Sequence, residues 1–102
     1  MRFPATQGER DKNEPEIISA LEAVGATVEQ LPTGKGVPDL LVGHKGENYL
    51  MEVKRNPEKG KVFASHVKLN KKQEIWHKCW RGSVSIVRTP EEALAVIGAI
   101  IS

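Results

Sequence analysis

Two carboxylates and a lysine have the spacing of a reactive group. Asp39 ends the run Gly36-Val37-Pro38-Asp39, and Glu52 and Lys54 flank Val53 in Leu50-Met51-Glu52-Val53-Lys54. In a strand, residues i and i+2 share a face, so Glu52 and Lys54 point one way and Met51 and Val53 point into the other layer. A hairpin-like connection between two short strands brings Asp39 beside Glu52. Two acidic side chains a few ångströms apart raise each other's pKa unless a hard divalent cation neutralises them. Mg²⁺ suits such a pair, because it takes one or two carboxylates, keeps several waters and accepts phosphate oxygens. A lysine beside it orients or deprotonates an attacking water, or stabilises charge developing on the phosphoryl oxygens. These are the parts needed to hydrolyse a phosphodiester. The bare pattern Asp-x12-Glu-x-Lys also describes charged residues on the wet face of a hairpin. Its context sharpens it: the Asp follows Gly-Val-Pro at the start of an apolar strand, and Glu-x-Lys interrupts another strand before a basic segment.

The helices that must flank these strands carry further candidates. With Leu21 as reference on a helical wheel, Glu14 falls at about 20°, between Ile17 and Ile18, whereas Glu16 falls at about 140° on the wet side. Glu14 is therefore either a dipole-complementing residue at a helix start or a further acidic ligand or water-orienting group. Glu16 serves the cap. With Trp76 as reference in the second helix, Leu69 falls at about 20°, Trp80 at about 40°, Gln73 at about 60° and Cys79 at about −60°. Gln73 is a boundary residue or one that reaches a phosphate or a metal-bound water. Trp76 and Trp80 are expected in the core rather than as base-stacking platforms, and Cys79 is expected as a small buried hydrophobe.

The expected elements run α-β-β-β-α-β-α. Asn13 with Glu16 has the form of a capping box, and Pro15 is tolerated in a first turn. The helix so opened ends at Gly25. Strands are expected over residues 27–31, 37–42 and 48–55, with a turn over 43–47 joining the last two. Residues 56–68 form a long basic loop, a type more often functional than idle. A helix capped by Asn70 spans 69–80, a fourth strand 83–88, and Thr89-Pro90-Glu91-Glu92 opens a last helix over 93–101. Residues 1–12 are polar and aperiodic, as in a loose arm.

At 102 residues the chain holds one small domain. No apolar run is long enough for a membrane span, and the first residues carry no signal-peptide core. A lone cysteine and three scattered histidines offer neither an intrachain disulfide nor zinc-ligand spacing, so a reducing cytoplasm is expected. The net charge of +2 hides an asymmetry: residues 1–53 carry five Lys/Arg against nine Asp/Glu, and residues 54–81 carry nine against two. Such a basic block suits a polyanion, although a solvated helix face with a charged loop has the same composition. Its members include Arg55, Lys59, Lys61, Lys68, Lys71 and Lys72, the residues that would contact such a polyanion.

Pro38-Asp39 and Glu52-Val53-Lys54 make the chain similar to the PD-(D/E)XK nuclease superfamily. Within it the chain resembles the small stand-alone VRR-NUC (virus-type replication-repair nuclease) domains of phages and bacteria. Asn13-Glu14, Gly36-Val37, Leu69 with Gln73 and Trp76, Trp80-Arg81-Gly82 and Glu92-Ala93-Leu94 support the likeness, which covers roughly residues 11–98. The resemblance implies an α/β fold with an αβββαβ restriction-endonuclease-like core, a mixed central sheet flanked by helices, and here a C-terminal helix. It implies a Mg²⁺- or Mn²⁺-dependent DNA endonuclease. Asp39, Glu52 and the Val53 backbone carbonyl would be metal ligands, with Glu14 at the first-helix acidic position. Lys54 would be the catalytic lysine and Gln73 a helix glutamine near the site. The expected substrate is branched or structured DNA, Holliday junctions included, cut by a homodimer. The alternatives are a non-cleaving DNA-binding module of the same fold and a nuclease with sequence preference.

Overall fold

The computed structural model describes residues 10–55 and 69–99. The chain forms α1 (Glu14–Ala23), β1 (Thr27–Gln30), β2 (Leu40–His44), β3 (Glu47–Val53), α2 (Lys71–Cys79), β4 (Ser85–Val87) and α3 (Pro90–Val96). The four strands make one mixed sheet in the order β1-β2-β3-β4, antiparallel in the first two pairings and parallel between β3 and β4. The parallel pair needs a crossover, and the connection from β3 to β4 contains α2. Lys45 (φ +52°) and Gly46 (φ +83°) turn β2 into β3 as a two-residue hairpin.

Period-two alternation divides the sheet. Leu40, Val42, Met51, Val53 and Val87 face one side, where Ile17 and Leu21 of α1 and Ala93 of α3 complete the core with Ile97. On the opposite side Leu41 and Ile86 remain exposed and Glu52 is buried. None of the α2 residues is buried. No helix among the described residues is long and apolar enough to cross a membrane.

Several boundaries differ from the sequence expectation, each for a local reason. Asn13 precedes α1 but makes no side-chain cap, so the capping box with Glu16 does not form. Its amide instead donates to the Lys54 and Arg88 carbonyls at 2.9 and 2.7 Å, tying the ends of β3 and β4 to the start of α1. β2 begins at Leu40 rather than 37, because Gly36 takes φ +84° and Pro38 has no N–H to donate. The third strand begins one residue before 48 and stops at Val53 short of 55, and the fourth is shorter than 83–88 at both ends. The last helix starts earlier and stops sooner than 93–101. Thr89 accepts from the Glu92 N–H, and Gly98 (φ +74°) ends the helix as Ala99 donates to the Leu94 carbonyl. Gly25 (φ +94°) ends α1 in the same way, with Ala26 donating to the Leu21 carbonyl.

Candidate active site

Asp39 lies one residue before β2, next to the registered pair Leu40 and Met51, so it stands across from the Glu52 end of β3. One of its oxygens, Oδ2, accepts the Val53 N–H at 2.7 Å. Glu52 is the penultimate residue of β3, its side chain 1% exposed, and Lys54 follows directly after the strand's last residue, Val53. Burial pushes the Glu52 carboxyl up to about 9, aided by the Asp39 charge and by a carboxyl–carboxyl hydrogen bond with Asp39, and opposed by Lys54. The pair is the closely spaced acidic set anticipated from the motif.

α2 supplies the wall. Asn70 caps it by accepting from the Gln73 N–H at 2.8 Å, while Gln73 Oε1 accepts from the Asn70 N–H at 2.9 Å. The same Oε1 accepts from Lys54 Nζ at 2.9 Å, and Gln73 Nε2 donates to Glu52 Oε2 at 2.8 Å. A carboxamide is the side chain for this position, since one end accepts from a cation and the other donates to a carboxylate. One turn on, His77 Nε2 stands 3.5 Å from Glu52 Oε1. Burial, and then the nearby Lys54 charge, lower the His77 pKa, which favours a neutral ring. Gly36 fits α2 against the loop: a Cβ there would run into the Lys72 carbonyl.

On the other side, Glu14 is also 1% exposed. Its Oε2 accepts from Arg10 Nη1 at 2.7 Å and from Gln30 Nε2 at 3.0 Å. Burial raises its pKa, and the Gln30 and Arg10 contacts oppose the rise. Arg10 Nη1 is also 3.9 Å from Asp39 Oδ1, so this guanidinium bridges Glu14 and Asp39. Asp11 is raised by burial and by the Asp39 charge, and lowered by Lys54 and Arg55. Among the described residues, no group of three or more His, Cys, Asp or Glu side chains is arranged to hold a metal.

The structure therefore brings Asp39, Glu52, Lys54 and Gln73 together and sets Glu14 behind Arg10. Glu16 is exposed. Arg55, Lys71 and Lys72 are exposed near this end of the sheet, and Lys72 Nζ donates to the Gly34 carbonyl at 3.1 Å. Lys59, Lys61 and Lys68 lie outside the described residues. Two expectations fail. Trp76 of α2 stacks on Trp80, the residue just past the helix, the helix buries no residue, and Cys79 is exposed. The inward side of α2 is centred on Gln73 and His77, about 60° and 100° from Trp76, which puts the aromatic stripe at the margin. Sequence reasoning missed Arg10, Asp11 and His77. The four-residue step from Gln73 to His77 was a usable signal, whereas no periodicity marks Arg10 or Asp11.

No protein-family model matches the chain, and neither does any curated protein or solved structure.

Proposed function

We propose that the chain is a divalent-metal-dependent DNA endonuclease of the PD-(D/E)XK type, related to the VRR-NUC domains. The observation that carries this reading is Asp39 standing across from the buried Glu52, its Oδ2 on the Val53 N–H, with Lys54 latched beside them through Gln73. Holding a carboxylate at nearly complete burial against a second one costs stability, and a charge partner at that point would repay it. Asp39, Glu52 and the Val53 carbonyl would hold Mg²⁺ or Mn²⁺, because two carboxylates and one neutral oxygen leave room for the waters that Mg²⁺ retains. When bound, the ion would supply Lewis-acid activation of a phosphoryl oxygen and of water.

The chain's own residues take distinct parts. Lys54 places an ammonium where charge grows on the phosphoryl oxygens. Gln73 holds that ammonium and one Glu52 oxygen in a fixed relation. Arg10 and Glu14 restrain Asp39 from behind. Arg55 and Lys71, with Lys59, Lys61 and Lys68 of the basic segment, would neutralise backbone phosphates on either side of the cut. Branched DNA as substrate and a twofold pair of chains as working unit belong to the same proposal.

The test is a panel of labelled linear, flap, splayed-arm and four-way DNAs, incubated with Mg²⁺, with Mn²⁺ and with EDTA. Metal-dependent cleavage that Asp39→Asn abolishes, with DNA binding retained, is the expected result. Binding without cleavage of any substrate in either metal would leave a DNA-binding module instead.

A further inference from the structure

We infer that the Trp76–Trp80 stack on α2 is a platform for an unpaired nucleobase of the DNA strand that enters the Asp39–Glu52 site. The inference rests on the reading of that site as one that meets DNA, and it adds which part of the DNA is held there.

The two indoles are nearly parallel, with centroids 4.7 Å apart and planes 16° apart. Trp80, the residue that caps α2, is 44% exposed and Trp76 is half-buried, so part of the outer indole stays in water, with Gly82 close to its Nε1 edge, beside a helix that contributes nothing to the core. Leaving the outer tryptophan this open forgoes burial worth several times that of a small side chain. The stack is continuous with the site. His77 touches Glu52 at 3.5 Å and meets Trp76 edge-on at 5.8 Å, and Trp76 carries Trp80. The outer indole is thus no more than about 10 Å from the His77 ring. With about 3.4 Å of rise per nucleotide along a strand, that is a few nucleotides from the carboxylates.

Charge decides the occupant. Residues 69–82 carry Lys71, Lys72, Lys78 and Arg81 against Glu74 alone. Two copies of α2 laid face to face would oppose like charges, which argues against a second chain on this surface. A nucleic acid strand satisfies both features at once, with phosphates near the cations and a base on the indole. A fully paired duplex offers the phosphates but keeps its bases in their own stack. The platform therefore favours the unpaired nucleotides at flaps, splayed arms and junction centres.

The chain contains two tryptophans, and both are in this stack, so tryptophan emission, excited beyond the absorption of Tyr49, reports on the platform alone. The full-length protein is titrated in EDTA with a single-stranded oligothymidine, a duplex of equal length, and heparin as a polyanion without bases. Single strands should quench the emission, and heparin should bind without quenching. Trp80→Ala should weaken single-strand binding about tenfold or more, in line with alanine substitution at a stacking aromatic. It should leave duplex affinity within about twofold and the salt dependence unchanged, because no phosphate contact is lost. Trp80→Phe keeps a stacking ring and should retain most of the affinity, which guards against a folding defect in the alanine variant. Equal losses for single strand and duplex, or no quenching by any DNA, would overturn the inference. So would self-association that Trp80→Ala abolishes without changing single-strand affinity. The readout needs neither metal nor cleavage, so a failure of the nuclease reading in the Asp39→Asn assay is seen separately.

Discussion

Replacing Glu52 by Gln should make the metal-free protein more stable while removing the proposed activity. The Glu52 carboxyl is raised from an ordinary 4.5 to about 9, mainly by burial and then by Asp39. Between those values the folded chain holds a proton that the unfolded chain has released, so stability falls as pH rises through the window. At pH 7 the unfavourable term reaches a ceiling of about 3 kcal/mol, at 1.36 kcal/mol for each pH unit above 4.5. Glutamine keeps an oxygen for the Gln73 amide and turns an N–H toward Asp39, so the hydrogen bonds survive and the titration does not. Even if relaxation absorbs two-thirds of the ceiling, about 1 kcal/mol remains, roughly 4–8 °C in Tm for a domain of this size. Thermal melts in EDTA between pH 7 and 8.5 are the assay. His77, whose pKa is lowered in the folded chain, is mostly neutral in both states over this range and adds little to the slope. Wild type should lose stability across this range and Glu52→Gln should lose much less. Adding Mg²⁺ should then raise the wild-type Tm and leave the variant unmoved, by about 2.7 kcal/mol at a hundredfold excess over Kd. A variant less stable than wild type at pH 8, or parallel pH profiles, would refute the argument that burial against Asp39 strains this carboxyl.

Lys54→Met should lower single-turnover cleavage by about 10²–10³, the usual loss of one transition-state donor, with DNA affinity in a gel-shift assay little changed. Asn13→Ala removes two bonds to the Lys54 and Arg88 carbonyls and should cost about 2 kcal/mol in urea denaturation. Asn13→Asp, which restores a cap acceptor but not the donor, should fail to recover it. Gly36→Ala combines φ +84°, worth about 1–2 kcal/mol against a residue with a Cβ, with a backbone clash at the Lys72 carbonyl. Amide exchange should speed up in α2 before it does in β2 or β3.

The legible part of this chain was the part governed by local rules. Gly25, Asn70 and Thr89 mark helix ends by chemistry confined to a few residues, and the structure places helix ends beside all three. Asp39 and Glu52 were legible because a strand period of two and one short turn bring them together. Asn13 and the tryptophans were not, and the cause is tertiary. Asn13 has the right type for a cap, but the converging ends of β3 and β4 offer its amide two carbonyls that no local pattern announces. Trp76 and Trp80 read as core because an apolar stripe usually faces a sheet. Here the sheet presents a buried carboxylate to α2, and the inward positions go to the polar Gln73 and His77.

That exchange of apolar for polar contacts has a physical consequence for the site. The core on the α1 and α3 side is held by non-directional burial, which tolerates small shifts. α2 is held against the site by directional bonds from Gln73 to Lys54 and Glu52, by His77 beside Glu52, and by Lys72 on the Gly34 carbonyl. Its placement therefore depends on the charge of the groups it holds. A Glu52 carboxyl that keeps its proton is a weaker acceptor for the Gln73 amide than a carboxylate is. Loss of that proton would draw Gln73 in, and with it the ammonium that Gln73 steadies. On the proposed reading, the event that would ready the carboxylates for a cation would thus also tighten the wall facing the DNA, without any movement of the core.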